Sequence, residues 1–365
     1  MEVLELFKKL VESKSETPND GGLLDFIEEY LPDFKAVRID VEDVKNLFIY
    51  RKFGDGEHLC FAGHVDVVPA GDNWDTNPYE LVEKDGFLYG RGTQDMKSGV
   101  AAFVQAVKEV ESFDGTLSLL LTSDEEGDAY YGTIKVLEYL KKTNQLPDAV
   151  VVAEPTCEDV FGDAIKVGRR GSINGYITLK GKQGHAAYPQ KAINPIHNLA
   201  PRLLNMAGIN LDDGDEFFSP SKFVITDIRS GMEVTNVTPN ELKMMFNVRN
   251  TTLTSQKEVR EFVEKNLDGL DFELKLTQGS YPFCTNTDTK VVRNIDKAIE
   301  NIIGVKPKHS TAGGTSDARF IAQFDIDVIE FGVKNDTIHA VNERTTAFEV
   351  HSLYKVFKNL IKIWK

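Results

Sequence analysis

The sequence predicts an α/β fold: a mostly parallel sheet flanked by helices, with a separate α+β unit inserted in its middle. Two patterns carry this prediction. Short apolar runs that end in a polar residue alternate with segments of helical periodicity, the order that winds a parallel sheet. Between residues 173 and 283 the pattern changes to alternation of apolar and polar residues, as in strands with one face in water. The chain has 365 residues, too many for one ordinary core and suited to two domains.

The elements follow in order. Residues 2–12 and 23–31 read as helices. Leu59-Cys-Phe-Ala-Gly-His64 is a buried strand. Residues 98–111 form a helix whose Phe103, Val107 and Val110 share one face. Thr116–Leu121 and Asp148–Ala153 are further strands, with a helix over 133–142 between them. In the middle, 174–180 and 242–249 alternate as strands, and 194–206 and 255–266 suit helices. Ile326–Phe331 is a last strand, and 347–364 a last helix. The domains expected are 1–172 with 284–365, and 173–283.

Composition narrows the function. Forty-two Lys and Arg against 57 Asp and Glu give a net charge of −15. That disfavours nucleic acid, which needs clustered cations. No apolar run is long enough to span a membrane. The start lacks the basic and apolar regions of a signal peptide, so a cytoplasmic location is expected. Cys60, Cys157 and Cys284 are scattered and form no Cys-x-x-Cys, so any bound metal must rely on imidazoles and carboxylates.

In parallel sheets the ligand site lies beyond the C-terminal ends of the strands. His64, Glu125, Glu126 and Glu154 all fall there. In His64-Val-Asp66 the aspartate lies two residues on, where it can orient the imidazole. Asp95, in Gly90-Arg-Gly-Thr-Gln-Asp95-Met-Lys-Ser-Gly99, precedes a helix, and its simplest reading is a helix-start carboxylate. Adjacent Glu125 and Glu126 invite a cation, with one carboxylate binding it and the other handling a proton. Glu154 stands in Ala-Glu-Pro-Thr, and His339 in Thr-Ile-His-Ala-Val-Asn-Glu. Each signal alone favours a structural role. Two histidines and several carboxylates together suit paired zinc ions.

Four segments carry a family resemblance: Gly63–Pro69, Gly90–Gly99, Thr122–Gly127 and Glu154-Pro-Thr. In this order they resemble the signature segments of the zinc-dependent aminoacylase and desuccinylase family. The likeness covers essentially the whole chain and implies a zinc-peptidase-like fold with an inserted lid or dimerisation domain. Gly168-Arg-Arg-Gly-Ser172, Gly184-His-Ala-Ala-Tyr-Pro189 and Gly313-Gly-Thr-Ser-Asp-Ala-Arg-Phe320 resemble the succinyl-diaminopimelate desuccinylases of that family. Ala153 stands where Gly is commoner, and Ala312 where Ser is.

The resemblance implies the following roles. Asp95 bridges two zinc ions, one completed by His64 and Glu154, the other by Glu126 and His339. Cobalt can take one site. Glu125 is the general base and Asp66 buttresses His64. His185 reaches into the active site of a partner subunit, which makes a homodimer through the lid domain part of the expectation. Arg169, Tyr188, Asn236 and Arg249 match positions around diaminopimelate, and Ser172, Gly314, Thr315 and Asn335 positions around succinate. The implied reaction is hydrolysis of N-succinyl-L,L-2,6-diaminopimelate, a step toward lysine and diaminopimelate. Another deacylase of the family, such as acetylornithine deacetylase, or a dipeptidase stays open. So does a metal-dependent binding protein without catalysis, though the presence of Glu125 speaks against it. A dinucleotide-binding enzyme fails for want of Gly-x-Gly-x-x-Gly after the first strand.

Overall fold

The computed structural model describes residues 2–364. The chain divides into two compact units. The first holds the described residues up to Val167, then Thr285–Ser310 and those from Ser316 onward; the second holds Gly168–Cys284 and Thr311–Thr315. The limits expected near Ser172 and Phe283 lie a few residues away. The assignment of 311–315 to the second unit has no signal in the sequence.

The first unit is built on a sheet of strands β1 (Lys35–Arg38), β2 (Asn46–Lys52), β3 (His58–His64), β4 (Thr116–Thr122), β5 (Ala149–Val152), β6 (Ala164–Lys166), β7 (Lys308–Ser310) and β8 (Asp327–Glu330). Their order is β1-β2-β4-β3-β5-β8-β6-β7. The pairs β4-β3, β3-β5, β5-β8 and β6-β7 are parallel. The pairs β1-β2, β2-β4 and β8-β6 are antiparallel. The central strands are apolar on both faces because both faces are covered. In β3 and β4 every residue after the first is buried.

The longer helices of this unit are α1 (Val3–Val11), α2 (Leu23–Tyr30), α3 (Lys97–Lys108), α4 (Thr133–Lys142), α5 (Lys290–Ile303) and α6 (Ala347–Ile363). Phe61 of β3 stacks on Phe103 of α3 at 6.0 Å and meets Phe357 of α6 edge-on at 5.2 Å. Gly99 lets α3 approach the end of β5, since a Cβ there would lie 2.3 Å from the Ala153 carbonyl oxygen. That approach sets Asp95, just before α3, beside Glu154, just after β5.

The second unit has an antiparallel four-stranded sheet, in the order Phe223–Ser230, Glu241–Val248, Ser172–Lys180, Phe272–Ser280. Helix Gln256–Asn266 opens with a capping box of Ser255 and Glu258. Its Val259 and Val263 join a core with Ile177, Leu179, Met244 and Phe246.

Some elements differ from expectation. Helix α3 stops at Lys108, so Val110 leaves the expected face; its N–H turns back to the Val107 carbonyl. The expected helix over 194–206 is a short α-helix, Pro195–Leu199, tightening to a 3₁₀ helix over Ala200–Asn205. Pro201 lacks the N–H that an α-helix would use there. The glycine-rich segment is preceded by a hairpin of Val82–Lys84 and Phe87–Tyr89, which the sequence reading does not include.

Candidate metal centre

His64 ends β3, and Glu125 and Glu126 follow β4. Glu154 follows β5, Asp95 precedes α3, and His339 lies in the loop after β8. All belong to the first unit. Their side chains converge. His64 Nε2 lies 3.1 Å from Asp95 Oδ1 and 3.7 Å from Glu154 Oε1. His339 Nε2 lies 2.9 Å from Glu126 Oε1 and 3.4 Å from Asp95 Oδ2. The two oxygens of Asp95 thus face two different histidine–glutamate pairs. The Asp95 side chain does not cap α3, so its simplest sequence reading is set aside.

The spacing suits a metal. Zinc bonds of about 2.0–2.2 Å in a tetrahedron put neighbouring ligand atoms about 3.4 Å apart. The ligand atoms of His64, Asp95 and Glu126 lie within 4.8 Å of one another, and so do those of His64, Glu125 and Glu154. Geometry alone therefore lets Glu125 serve as ligand or as base. His339 has φ +58°, a left-handed conformation that histidine seldom adopts. Such local strain gathers at functional sites.

The electrostatics call for positive charge. Burial pushes the Glu125 and Glu154 carboxyls well above their usual range, and neighbouring carboxylates add to it. Burial disfavours the charged form of His64, yet Asp95, Asp66 and Glu154 hold its pKa well above the ordinary value. Hydrogen bonds to Asp95 and Glu126 push His339 up to about 10. Burial opposes ionisation of Asp95 too, but its bonds to His339 and His64 prevail and hold it far below the usual carboxylate value. Such a crowd of buried carboxylates is the hard donor set that a divalent cation neutralises.

Asp66 supports the site differently from expectation. His64 Nδ1 donates to its backbone carbonyl at 2.9 Å, while the nearer carboxylate oxygen is 3.6 Å away. The strand ends at His64, so the same-face rule no longer governs Asp66. A carbonyl only accepts, so Nδ1 carries the hydrogen and Nε2 is left for a metal. The Asp66 carboxylate instead accepts the N–H groups of Glu126 at 3.1 Å and Glu125 at 3.5 Å.

Two buried carboxylates near the site were not anticipated. Asp317 accepts from Thr133 Oγ1 at 2.5 Å and helps raise the Glu125 pKa. Glu343 accepts the backbone N–H groups of Gly92, Gln94 and Asp95. Both stand in segments already singled out, so their position beside the motifs was the only available signal.

The other expected residues are placed as follows. Asn335 belongs to the first unit, and its N–H donates to the Cys157 carbonyl. Arg169, Ser172, His185, Tyr188, Asn236, Arg249, Gly314 and Thr315 belong to the second. Arg169 is buried and donates to the Ala312 carbonyl at 3.0 Å, and Ser172 Oγ accepts from Asn247 at 2.9 Å. His185 is exposed, and its Nδ1 accepts the Ala187 N–H at 3.0 Å within its own turn. Tyr188, Asn236, Arg249 and Gly314 are exposed too.

The model of peptidase family M20/M25/M40 matches residues 60–363. The chain belongs to this family. The succinyl-diaminopimelate desuccinylase of Sulfurimonas denitrificans is 74% identical over 365 residues, covering 100% of both chains. That of a Nitratiruptor species is 64% identical over 362 residues, covering 99% of this chain and 100% of its own. Among solved structures, the aminopeptidase PepT of Bacillus cereus superposes with a TM-score of 0.81 at 19% identity, covering 99% of this chain and 97% of its own. The mixed, largely parallel sheet flanked by helices is therefore the fold of this family, as the sequence implied. The resemblance to its desuccinylases is borne out.

Proposed function

We propose that the protein hydrolyses N-succinyl-L,L-2,6-diaminopimelate to succinate and L,L-2,6-diaminopimelate. The observation that carries this is the 74% identity, end to end, to a relative named for that activity. The geometry supports the metal chemistry, because Asp95 turns one oxygen toward His64 and Glu154 and the other toward His339 and Glu126. These five residues would hold two zinc ions, and cobalt suits the same donors. Bound zinc supplies hydroxide near neutral pH and polarises a carbonyl.

Glu125 acts on protons. It accepts one from the attacking water and passes it to the amide nitrogen as the C–N bond breaks. Its burial suits a carboxylate that must hold a proton between the two transfers. Asp66 fixes Glu125 through the backbone and His64 through its carbonyl. The guanidinium groups of Arg169 and Arg249 match the substrate's carboxylates. Ser172, Tyr188, Asn236, Gly314, Thr315 and Asn335 complete the contacts that the resemblance implies. A homodimer through the second unit, with His185 serving the partner's site, belongs to the same reading; the exposure of His185 supports it. So does a cytoplasmic location. Among the described residues no helix is long and apolar enough to cross a membrane.

The test compares N-succinyl-L,L-diaminopimelate with N-acetylornithine on zinc-loaded protein, with Glu125→Gln as the blank. Strong preference for the succinyl substrate, lost in the blank, is expected. Preference for acetylornithine would keep the metal chemistry and overturn the substrate. No hydrolysis by protein with two bound zinc ions would point to a peptidase or a binding protein.

A further inference from the structure

Three ligand-bearing loops of the first unit meet at one buried ion pair. Glu343 is completely buried and Arg91 nearly so, and Arg91 Nη1 donates to Glu343 Oε2 at 2.8 Å. Glu343 Oε2 also accepts the Gly92 N–H at 2.9 Å, and Oε1 accepts those of Gln94 at 2.7 Å and Asp95 at 3.1 Å. The Glu343 carbonyl accepts the Gly90 N–H. One side chain and its own backbone thus grip the loop that presents Asp95. Gly92 has φ +84°, a conformation open to glycine, and this turns its N–H to the carboxylate.

Arg91 extends the grip to the other loops. Its Nη1 donates to the Ala340 carbonyl at 3.3 Å, and its Nη2 to those of His339 at 3.5 Å, Ala70 at 3.3 Å and Pro69 at 3.5 Å. Pro69 and Ala70 lie in the loop that leaves His64, and His339 and Ala340 in the loop of the second imidazole. The bonds by which Arg91 and Glu343 hold these three loops run to backbone groups.

We infer that Glu343 and Arg91 are positioning residues that hold the Asp95 loop against the His64 and His339 loops, so that the donor set is preformed before a metal binds. This rests on the metal-centre reading above. A buried ion pair is weak evidence for stability by itself. What marks this one is where its remaining hydrogen bonds go, since every partner given above belongs to a loop that carries a ligand. Outer partners of metal ligands change affinity by about 10–100-fold when lost.

The test measures binding of zinc alone, by competition with a chromophoric chelator, for the full chain and for Glu343→Gln and Arg91→Lys. Both variants are expected to bind zinc about 10–100-fold more weakly, with activity recovering as zinc is raised. A purely structural role would lower the melting temperature and leave the zinc affinity of folded protein unchanged; that result overturns the inference. Should a variant not fold, hydrogen exchange on the unaltered metal-free protein decides. Protection of the Gly92, Gln94 and Asp95 amides is expected without zinc. Exchange as fast as in an open loop, with protection only after zinc is added, would overturn preformation. Weakened zinc binding in the variants, beside no hydrolysis of the succinyl substrate by the unaltered protein, would sink the proposed substrate and leave this inference standing.

Discussion

The main sheets of the two units treat charged groups in opposite ways. In the first, strands buried on both faces lead to His64, Glu154 and the segment of Glu125 and Glu126, and polar side chains such as Asp66, Lys97, Glu330 and Glu343 are sealed inside. In the second, the strand Glu241–Val248 buries Leu242, Met244, Phe246 and Val248 and leaves Lys243 and Met245 in water. A sheet with one wet face keeps its charges solvated and needs only one apolar core. A sheet covered on both sides must pair every charge it carries, and unneutralised carboxylates there come at high cost. The metal chemistry belongs where that cost is met.

The contrast can be broken in four places, from the largest effect to the smallest. Glu125→Gln should lower kcat by about 10²–10⁴-fold, with zinc content unchanged by elemental analysis. Phe246→Ala should cost about 3–5 kcal/mol in the second unit, where Phe246 lies 4.1 Å from Phe223 ring to ring. Urea unfolding followed by limited proteolysis should show cleavage within 168–284 before the first unit opens.

The third test is pH. His58 bonds Ser118 Oγ at 2.6 Å, and burial lowers its pKa to about 4, against the pull of Asp148. Between that value and its unfolded value near 6.5 the unfolded chain binds the extra proton. Stability from this group is thus full above pH 6.5, falls as pH drops, and is gone below about 4. The loss should be about 3 kcal/mol, read as a shift in denaturant midpoint that His58→Asn removes.

The last test uses matching caps. Thr346 with Glu349 starts α6, and Ser255 with Glu258 starts Gln256–Asn266. Thr346→Ala and Ser255→Ala should each cost about 1 kcal/mol by thermal melting. A much larger loss for Thr346 would show that its cap also supports the buried Glu349.

What could be read from the sequence follows the same division. His64, Glu125, Glu126 and Glu154 were legible because parallel strands deliver their ends to one edge. Asp95 and His339 lie in loops, where no strand end marks them, and only the motif resemblance gives them metal roles. The Arg91–Glu343 pair spans 252 residues of chain, and no local pattern records such a contact. The strand Phe223–Ser230 escaped notice because a bulge between Ile225 and Asp227 breaks its alternation. The strand Phe272–Ser280 does carry a period: Phe272, Leu274 and Leu276 alternate cleanly against the core. Strand β2 was missed because its apolar run, Leu47-Phe-Ile49, is short and shows no period. His185 and Tyr188 stand exposed, so nothing within one chain could assign them a role.

The place of β8 has a consequence for how the protein is made. This strand, Asp327–Glu330, lies in the sheet between β5 and β6, which follow one another in sequence, Ala149–Val152 and Ala164–Lys166. On the ribosome β5 and β6 emerge early and must wait for more than a hundred further residues, the whole second unit among them, before the strand that joins them exists. At about 5–20 residues per second that wait lasts on the order of ten seconds or more. Throughout it the edge of β5 is bare to other chains. His339 follows β8, so the last imidazole leaves the ribosome after the strand that closes that edge.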